Sequence, residues 1–199
     1  MTQTQQTPSE PAQGARRYPR TFGGLIASMI VAVIGVVAYW ALQNATHDRP
    51  EIQPEAVDYL GTVQTVQEAK YAIAYPPTLP AGAIATAVRF TPGDRPVWGL
   101  SVLTKDDKFI GVEQENEDLS TLLTTYVDKH ARQGKDVTLT SGLATGPTAW
   151  TTWSDSGGDH AFATKLGTTT VVVYGSASVE DLQAVAESLT TAPTTAQTR

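Results

Sequence analysis

The chain has 199 residues and no cysteine, and it carries 14 Lys and Arg against 20 Asp and Glu, a net charge of −6. Without cysteine it has no disulfides, thiol catalysis or cysteine-based metal sites. After residue 42 the balance is 11 to 19, so this part has a net charge of −8. Because an acidic domain repels nucleic acid and anionic lipid headgroups, we expect neither as its ligand.

An uncharged apolar stretch, residues 22–42, follows the N-terminal tail. As a helix it reaches roughly 30 Å, about the thickness of the hydrocarbon core of a bilayer. Arg16, Arg17 and Arg20 precede it, and positive residues normally stay on the cytoplasmic side. A cleaved signal peptide would have a shorter apolar core and a small-residue cleavage site, which residues 41–45 do not offer. We therefore predict a retained single-pass anchor in the cell membrane, with the folded domain extracytoplasmic.

Polar composition predicts three segments without a packed core: a disordered cytoplasmic tail (1–21), a linker (43–54) and a C-terminal tail (191–199). Within the anchor, Gly24, Ser28 and Ala32 repeat at four-residue spacing. This pattern lets two membrane helices pack closely, so a homodimer through the anchor is an open alternative to a monomer.

Residues 55–190 read as one domain in which helical and strand patterns follow each other. Apolar residues at helical spacing predict a helix over 55–70. Three strand-like runs follow, and turn residues at 92–94 and 105–107 separate them, which predicts two hairpins. The runs are 83–91, 97–104 and 108–115.

The second half of the domain begins with an amphipathic helix predicted from Leu119 to Gly134, with His130 on its apolar face and Asn116 or Asp118 as its cap. A closing helix is predicted from Ser178, capped by Ser178 and Asp181 and burying Val179 among others. Four strands are predicted between the helices, at 136–140, 148–154, 160–166 and 169–175. The sum is an α+β fold, an antiparallel sheet of about six to seven strands with packed helices.

The domain carries short motifs of a structural rather than catalytic kind: Tyr75-Pro76, Leu79-Pro80, Trp98-Gly99-Leu100, the 111–114 strand, Trp150 with Trp153, and residues 170–178. Together with the anchor, they resemble an uncharacterised, domain-of-unknown-function family of bacterial single-pass envelope proteins. The arrangement is also similar to small sandwich domains of the PsbP and Mog1 type. That similarity is at fold level and implies an assembly or binding accessory.

The sequence contains no nucleophile elbow, no zinc-protease motif and no phosphate-binding loop. We therefore assign no catalytic residue, no metal site and no cofactor. Glu113, Glu115 and Glu117 fall at every second position, and paired carboxylates bind calcium or cleave glycosidic bonds in some proteins. A solvated strand face leading into a helix N-terminus is the favoured interpretation.

Aromatic residues give the main lead to a binding surface. Trp150 and Trp153 are three positions apart, so in one strand they point to opposite faces. We predict a ligand or partner contact on the strand face bearing Trp98, Gln114 and one of these two tryptophans, with Tyr174 beside it. A sheet covered on both faces would instead bury both tryptophans.

These patterns predict a non-enzymatic, membrane-anchored module of the bacterial cell envelope that binds an envelope protein or a small envelope ligand. Two alternatives stay open. One is an envelope enzyme that acts on glycan or peptide through the Glu113 cluster. The other is a transmembrane sensor or regulator that works through the anchor helix.

Overall fold

The computed structural model describes residues 29–30, 32–39 and 54–194. The chain divides into two units, Met1–Gln53 and Pro54–Arg199. In the first, the described residues are helical and uncharged, and their large apolar side chains are exposed. Among the described residues, no helix has both the length and the hydropathy needed to cross a bilayer. The rest of the predicted anchor and the predicted tail and linker up to residue 53 lie outside the described residues.

The second unit is an α+β domain, as predicted. Its helices are α1 (Tyr59–Glu68), α2 (Leu119–Tyr126) and α3 (Val179–Ser188). Its strands are β1 (Ile84–Thr91), β2 (Val97–Leu103), β3 (Phe109–Glu115), β4 (Arg132–Gln133), β5 (Val137–Thr140), β6 (Pro147–Ser154), β7 (His160–Leu166) and β8 (Thr169–Gly175).

The strands form one antiparallel sheet in the order β1-β2-β3-β8-β7-β6-β4, and β5 pairs with β6. Both predicted hairpins are confirmed, because Gly99 lies opposite Arg89 on β1 and opposite Glu113 on β3. The sheet has eight strands rather than six to seven. The additional strand is β4, a pair of residues that the sequence pattern assigned to a helix.

The predicted helix from Leu119 to Gly134 is wrong in its second half, because α2 ends at Tyr126. Beyond it, the Asp128 carboxylate accepts the backbone N–H of His130 at 2.6 Å. Such a side-chain turn competes with helical hydrogen bonds. The side chain of His130 is therefore 80% exposed instead of packed, and the chain continues into β4.

Helices cover the two faces of the sheet unequally. On the first face, α1 and α3 enclose the main core, which includes Val63, Leu182, Leu100, Phe162 and Val173. On the second face, α2 packs a smaller cluster, Leu122 and Leu123 against Ala161, Ala163, Val172 and Tyr174. The predicted capping pair of α3 is confirmed, since Ser178 Oγ accepts the N–H of Asp181 at 3.1 Å. Val179, however, is 40% exposed rather than buried.

Gln114 fastens the segment before β1 to the sheet. Its Oε1 accepts the N–H of Ala74 at 2.6 Å, and its Nε2 donates to the carbonyl of Ala72 at 3.0 Å. The indole N–H of Trp98 donates to the carbonyl of Ala74 at 2.9 Å. Because Gln114 is only 6% exposed, water cannot replace these bonds.

Replacing Gln114 by Leu should lower the free energy of unfolding by about 2–4 kcal/mol, because each buried backbone group left unpaired costs about 1–3 kcal/mol. Urea unfolding of the full-length protein in detergent measures this change. The matched control is Gln64→Leu on α1, an exposed position where we expect a change within about 0.5 kcal/mol. Equal costs for the two variants would contradict the fastening role.

Candidate functional site

The five predicted contact residues do not share one surface. Trp98, Gln114 and Trp150 lie on the first face and are 1%, 6% and 0% exposed. Trp153 and Tyr174 lie on the second face with α2, which confirms that Trp150 and Trp153 point to opposite sides. A binding role for the five stays a prediction. The indole N–H of Trp150 has no hydrogen-bond partner within the described part of the chain.

A cluster of charged and hydroxyl groups closes the β1–β3 end of the second face. One guanidinium nitrogen of Arg89 lies 3.0 Å from Glu113 Oε2 and 3.8 Å from Glu115 Oε1. The same nitrogen donates to the hydroxyl oxygen of Tyr126 at 2.9 Å, and the Tyr126 hydroxyl donates in turn to Glu115. Because Tyr126 is the last residue of α2, the cluster ties this end of the helix to β1 and β3.

Two strand glycines allow this close packing. A Cβ atom at Gly99 would lie 2.5 Å from Glu113 Oε2, and one at Gly111 would overlap the ring of Tyr174. The carboxylate and the ring therefore lie directly over backbone, a common use of glycine within strands. Arg89 was missed by sequence reasoning. The signal that points to Arg89 is the register of the two hairpins, which places Arg89 and Glu113 on either side of Gly99.

Burial raises the pKa of Glu113 to about 7, since desolvation of the carboxylate outweighs the nearby Arg89 and Glu115 adds repulsion. Burial and the bond to Glu115 also raise the pKa of Tyr126 to about 12. A carboxyl group that titrates near neutrality suits acid–base chemistry. Here its side chain is 9% exposed, under α2 and against Arg89. The geometry thus supports proton uptake by a packed group more directly than attack on a substrate.

The other end of the domain, around β6, is open. It has three cavities of about 370, 310 and 240 Å³, and residues of β6 line each one. The largest follows the second face past Leu119, Ala149 and Ala163. Small-ligand sites commonly have volumes of about 300–1,000 Å³. Among the described residues, no three His, Asp or Glu side chains are grouped so as to hold a metal ion.

Trp153 connects two of these cavities. It lines the 240 Å³ cavity together with Leu123 and Lys129, and the 310 Å³ cavity together with Lys135 and Val179. Its indole N–H donates to Thr151 Oγ1 at 3.0 Å. The polar edge of the ring is thereby satisfied within the protein.

The domain should lose stability as the pH rises from about 5 to 8. The pKa of Glu113 rises from 4.5 to about 7 in the folded domain, so the folded state binds more protons than the unfolded state in this range. The stabilisation is complete below the unfolded pKa and is lost as the pH passes through the folded one, a change on the order of 3 kcal/mol. Urea unfolding of the full-length protein across this range measures it.

Glu113→Gln should flatten this pH dependence, because the titrating group is gone. The exposed Glu187→Gln on α3 serves as the control and should keep the wild-type slope. A slope that survives unchanged in Glu113→Gln would show that another group causes it.

Comparison with known proteins gives a family but no characterised relative. No curated protein and no solved structure matches the chain. A family model described as "Protein of unknown function (DUF4245)" matches residues 17–189, a range that begins before the apolar stretch and ends just after α3. This agrees with the predicted resemblance to a domain-of-unknown-function family, and the chain belongs to the DUF4245 family of proteins of unknown function.

Proposed function

We propose that this chain is a membrane-anchored extracytoplasmic module of the bacterial cell envelope that binds a protein or small ligand and does not transform it. The anchor is supported by the described helical residues 29–30 and 32–39, which are all uncharged. Their large apolar side chains are exposed on every side, for example Ile34 at 61% and Val36 at 67%. A helix that is apolar all round needs protein or lipid around it, and lipid meets that need.

Three cavities lined by residues of β6 carry the binding part of the proposal. Apolar side chains and threonines line much of their surface, and Trp153 lies between two of them. Half-buried aromatic residues often dominate binding contacts. The acid–base groups line none of these three cavities, because Arg89 and Tyr126 engage Glu113 and Glu115. This separation favours recognition over turnover.

Introducing two charges into the apolar stretch tests the anchor. The double variant Val33→Arg, Val36→Arg should no longer be found in the carbonate-resistant membrane fraction, because each arginine at a helix centre costs about 2.5–3.5 kcal/mol of insertion energy. Fractionation of cells that express the full-length chain measures this. The matched control is Val57→Arg, Val179→Arg, two exposed valines of the folded domain, which should stay in the membrane fraction. If the first pair stays there too, the stretch is not the anchor.

Filling the 370 Å³ cavity tests the binding surface around β6. Ala149 is exposed and lines this cavity, so Ala149→Trp should lower the yield of cross-linked partner, or of co-purifying ligand, at least tenfold. Ala87→Trp is the matched control, because Ala87 is an exposed strand alanine on β1, at the other end of the sheet. Chemical cross-linking in cells followed by mass spectrometry provides the readout. Equal yields from the two variants would place binding elsewhere.

A further inference from the structure

We propose that the free edge of β4 is a strand-addition site for an extended acidic peptide from a partner protein. This inference rests on the proposed binding function and names the partner class. β4 ends the sheet order. Among the described residues it pairs with β6 alone, where Arg132 lies opposite Ser154 and Gln133 opposite Trp153. Free edges of sheets bind extended peptides through backbone hydrogen bonds, and nearby pockets for side chains supply specificity.

Two cavities flank this edge on opposite faces of the sheet. The 240 Å³ cavity lies on the face of α2 and includes Lys129 and Ala131. The 310 Å³ cavity reaches α3 on the other face and includes Gly134 and Lys135. Successive side chains of a strand point to opposite faces. A peptide added beside β4 would therefore direct alternate side chains toward the two cavities.

The exposed apolar side chain of Val179 fits this arrangement. It lies at the start of α3 and is 40% exposed, and it forms part of the wall of the 310 Å³ cavity. On the other face, Leu119 and Leu123 provide the apolar wall of the 240 Å³ cavity. Both cavities are thus suited to apolar side chains of the added strand.

The charge of the edge selects an acidic partner. Lys129, Arg132 and Lys135 fall within seven residues and are exposed. No ion pair involving these three is present in the described part of the chain, which is also true of Lys105 and Lys108, whereas Arg89 and Arg95 are both paired with glutamates. This edge offers free cations on a domain whose net charge is strongly negative. Asp128 and Asp136 flank the segment, and both accept hydrogen bonds within it, from His130 and from Gln133.

The opposite edge lacks these features. β1 is longer, at eight residues, but its single charged side chain, Arg89, is engaged by Glu113 and Tyr126. An anionic lipid surface would need only the cations of the β4 edge. A flat lipid surface would not fill two apolar cavities on opposite faces of the sheet. The geometry therefore favours a peptide over a membrane.

The test begins with a displayed library of random twelve-residue peptides, selected on the full-length protein in nanodiscs of neutral lipid. We expect enriched sequences in which Asp and Glu alternate with apolar residues. The affinity of a synthetic enriched peptide should fall at least tenfold in Arg132→Glu, Lys135→Glu. It should change less than twofold in Lys105→Glu, Lys108→Glu, which reverses two exposed charges in the β2–β3 turn.

Backbone methylation of the peptide separates strand addition from simple charge attraction. Since only alternate N–H groups of an added strand face the sheet, methylating one alternate set should lower affinity at least tenfold and methylating the other set should not. If both methylated peptides bind like the parent, strand addition is refuted.

Other outcomes distinguish this inference from the proposed function. Peptides that are lost with Ala149→Trp but kept with Arg132→Glu, Lys135→Glu would refute the β4 site and leave a binding module. Binding of anionic lipid vesicles through the same cations, with no acidic peptide enriched, would also refute the peptide site. The cellular partner could instead be fully retained by Ala149→Trp and lost tenfold by Arg132→Glu, Lys135→Glu. That result would support the β4 site and place the binding surface at the β4 edge rather than at the Ala149 cavity.

Discussion

Helix α2 is too short to cover the sheet face on which it lies. The position of the cavities on that face follows from this. With eight residues it is about 12 Å long and about 10 Å wide. The path from β1 to β4 contains seven strands, which at about 4.8 Å between neighbours measure roughly 29 Å across. One short helix must therefore leave part of the face uncovered. Its position decides which part that is.

The packing of Leu122 and Leu123 holds α2 over β7 and β8, and the Arg89–Glu113–Glu115–Tyr126 cluster ties the end of the helix to β1 and β3. Glycines at 99 and 111 leave room for the Glu113 carboxylate and the Tyr174 ring directly over the strands. The cost is a buried carboxylate whose pKa rises to about 7. Around β6, by contrast, small side chains such as Ala149 and Ala163 leave cavities.

Much of the fold could be predicted because its signals are local. β7 and β8 have the predicted bounds, since alternation and glycine turns define both strands. The capping pair of α3 could be predicted for the same reason. The end of α2 was not, because apolar spacing continues past Tyr126 and only the side-chain turn of Asp128 shows that the helix has stopped. Because the predicted helix extended too far, the residues of β4 were assigned to it and the strand was missed.

The candidate site was harder to predict, because it depends on which helix covers which face. Strand alternation alone made Glu113 look like a solvated carboxylate, whereas α2 buries it. Trp98 and Gln114 were predicted to contact a partner, and the structure places both in the interior, hydrogen-bonded to the segment at 72–74. Trp153 is the predicted residue that reaches the open end, and its strand position relative to Trp150 was sufficient to place it on the second face.

A photo-cross-linking amino acid placed in the full-length chain in its native membrane tests the central claim most directly. One position is Thr124, in the cavity beside Trp153, and the other is Ala87, exposed on β1. Our account predicts a defined cross-linked product from Thr124 and none from Ala87. A product from Ala87 alone would contradict it and place recognition at the end of the domain that we describe as closed.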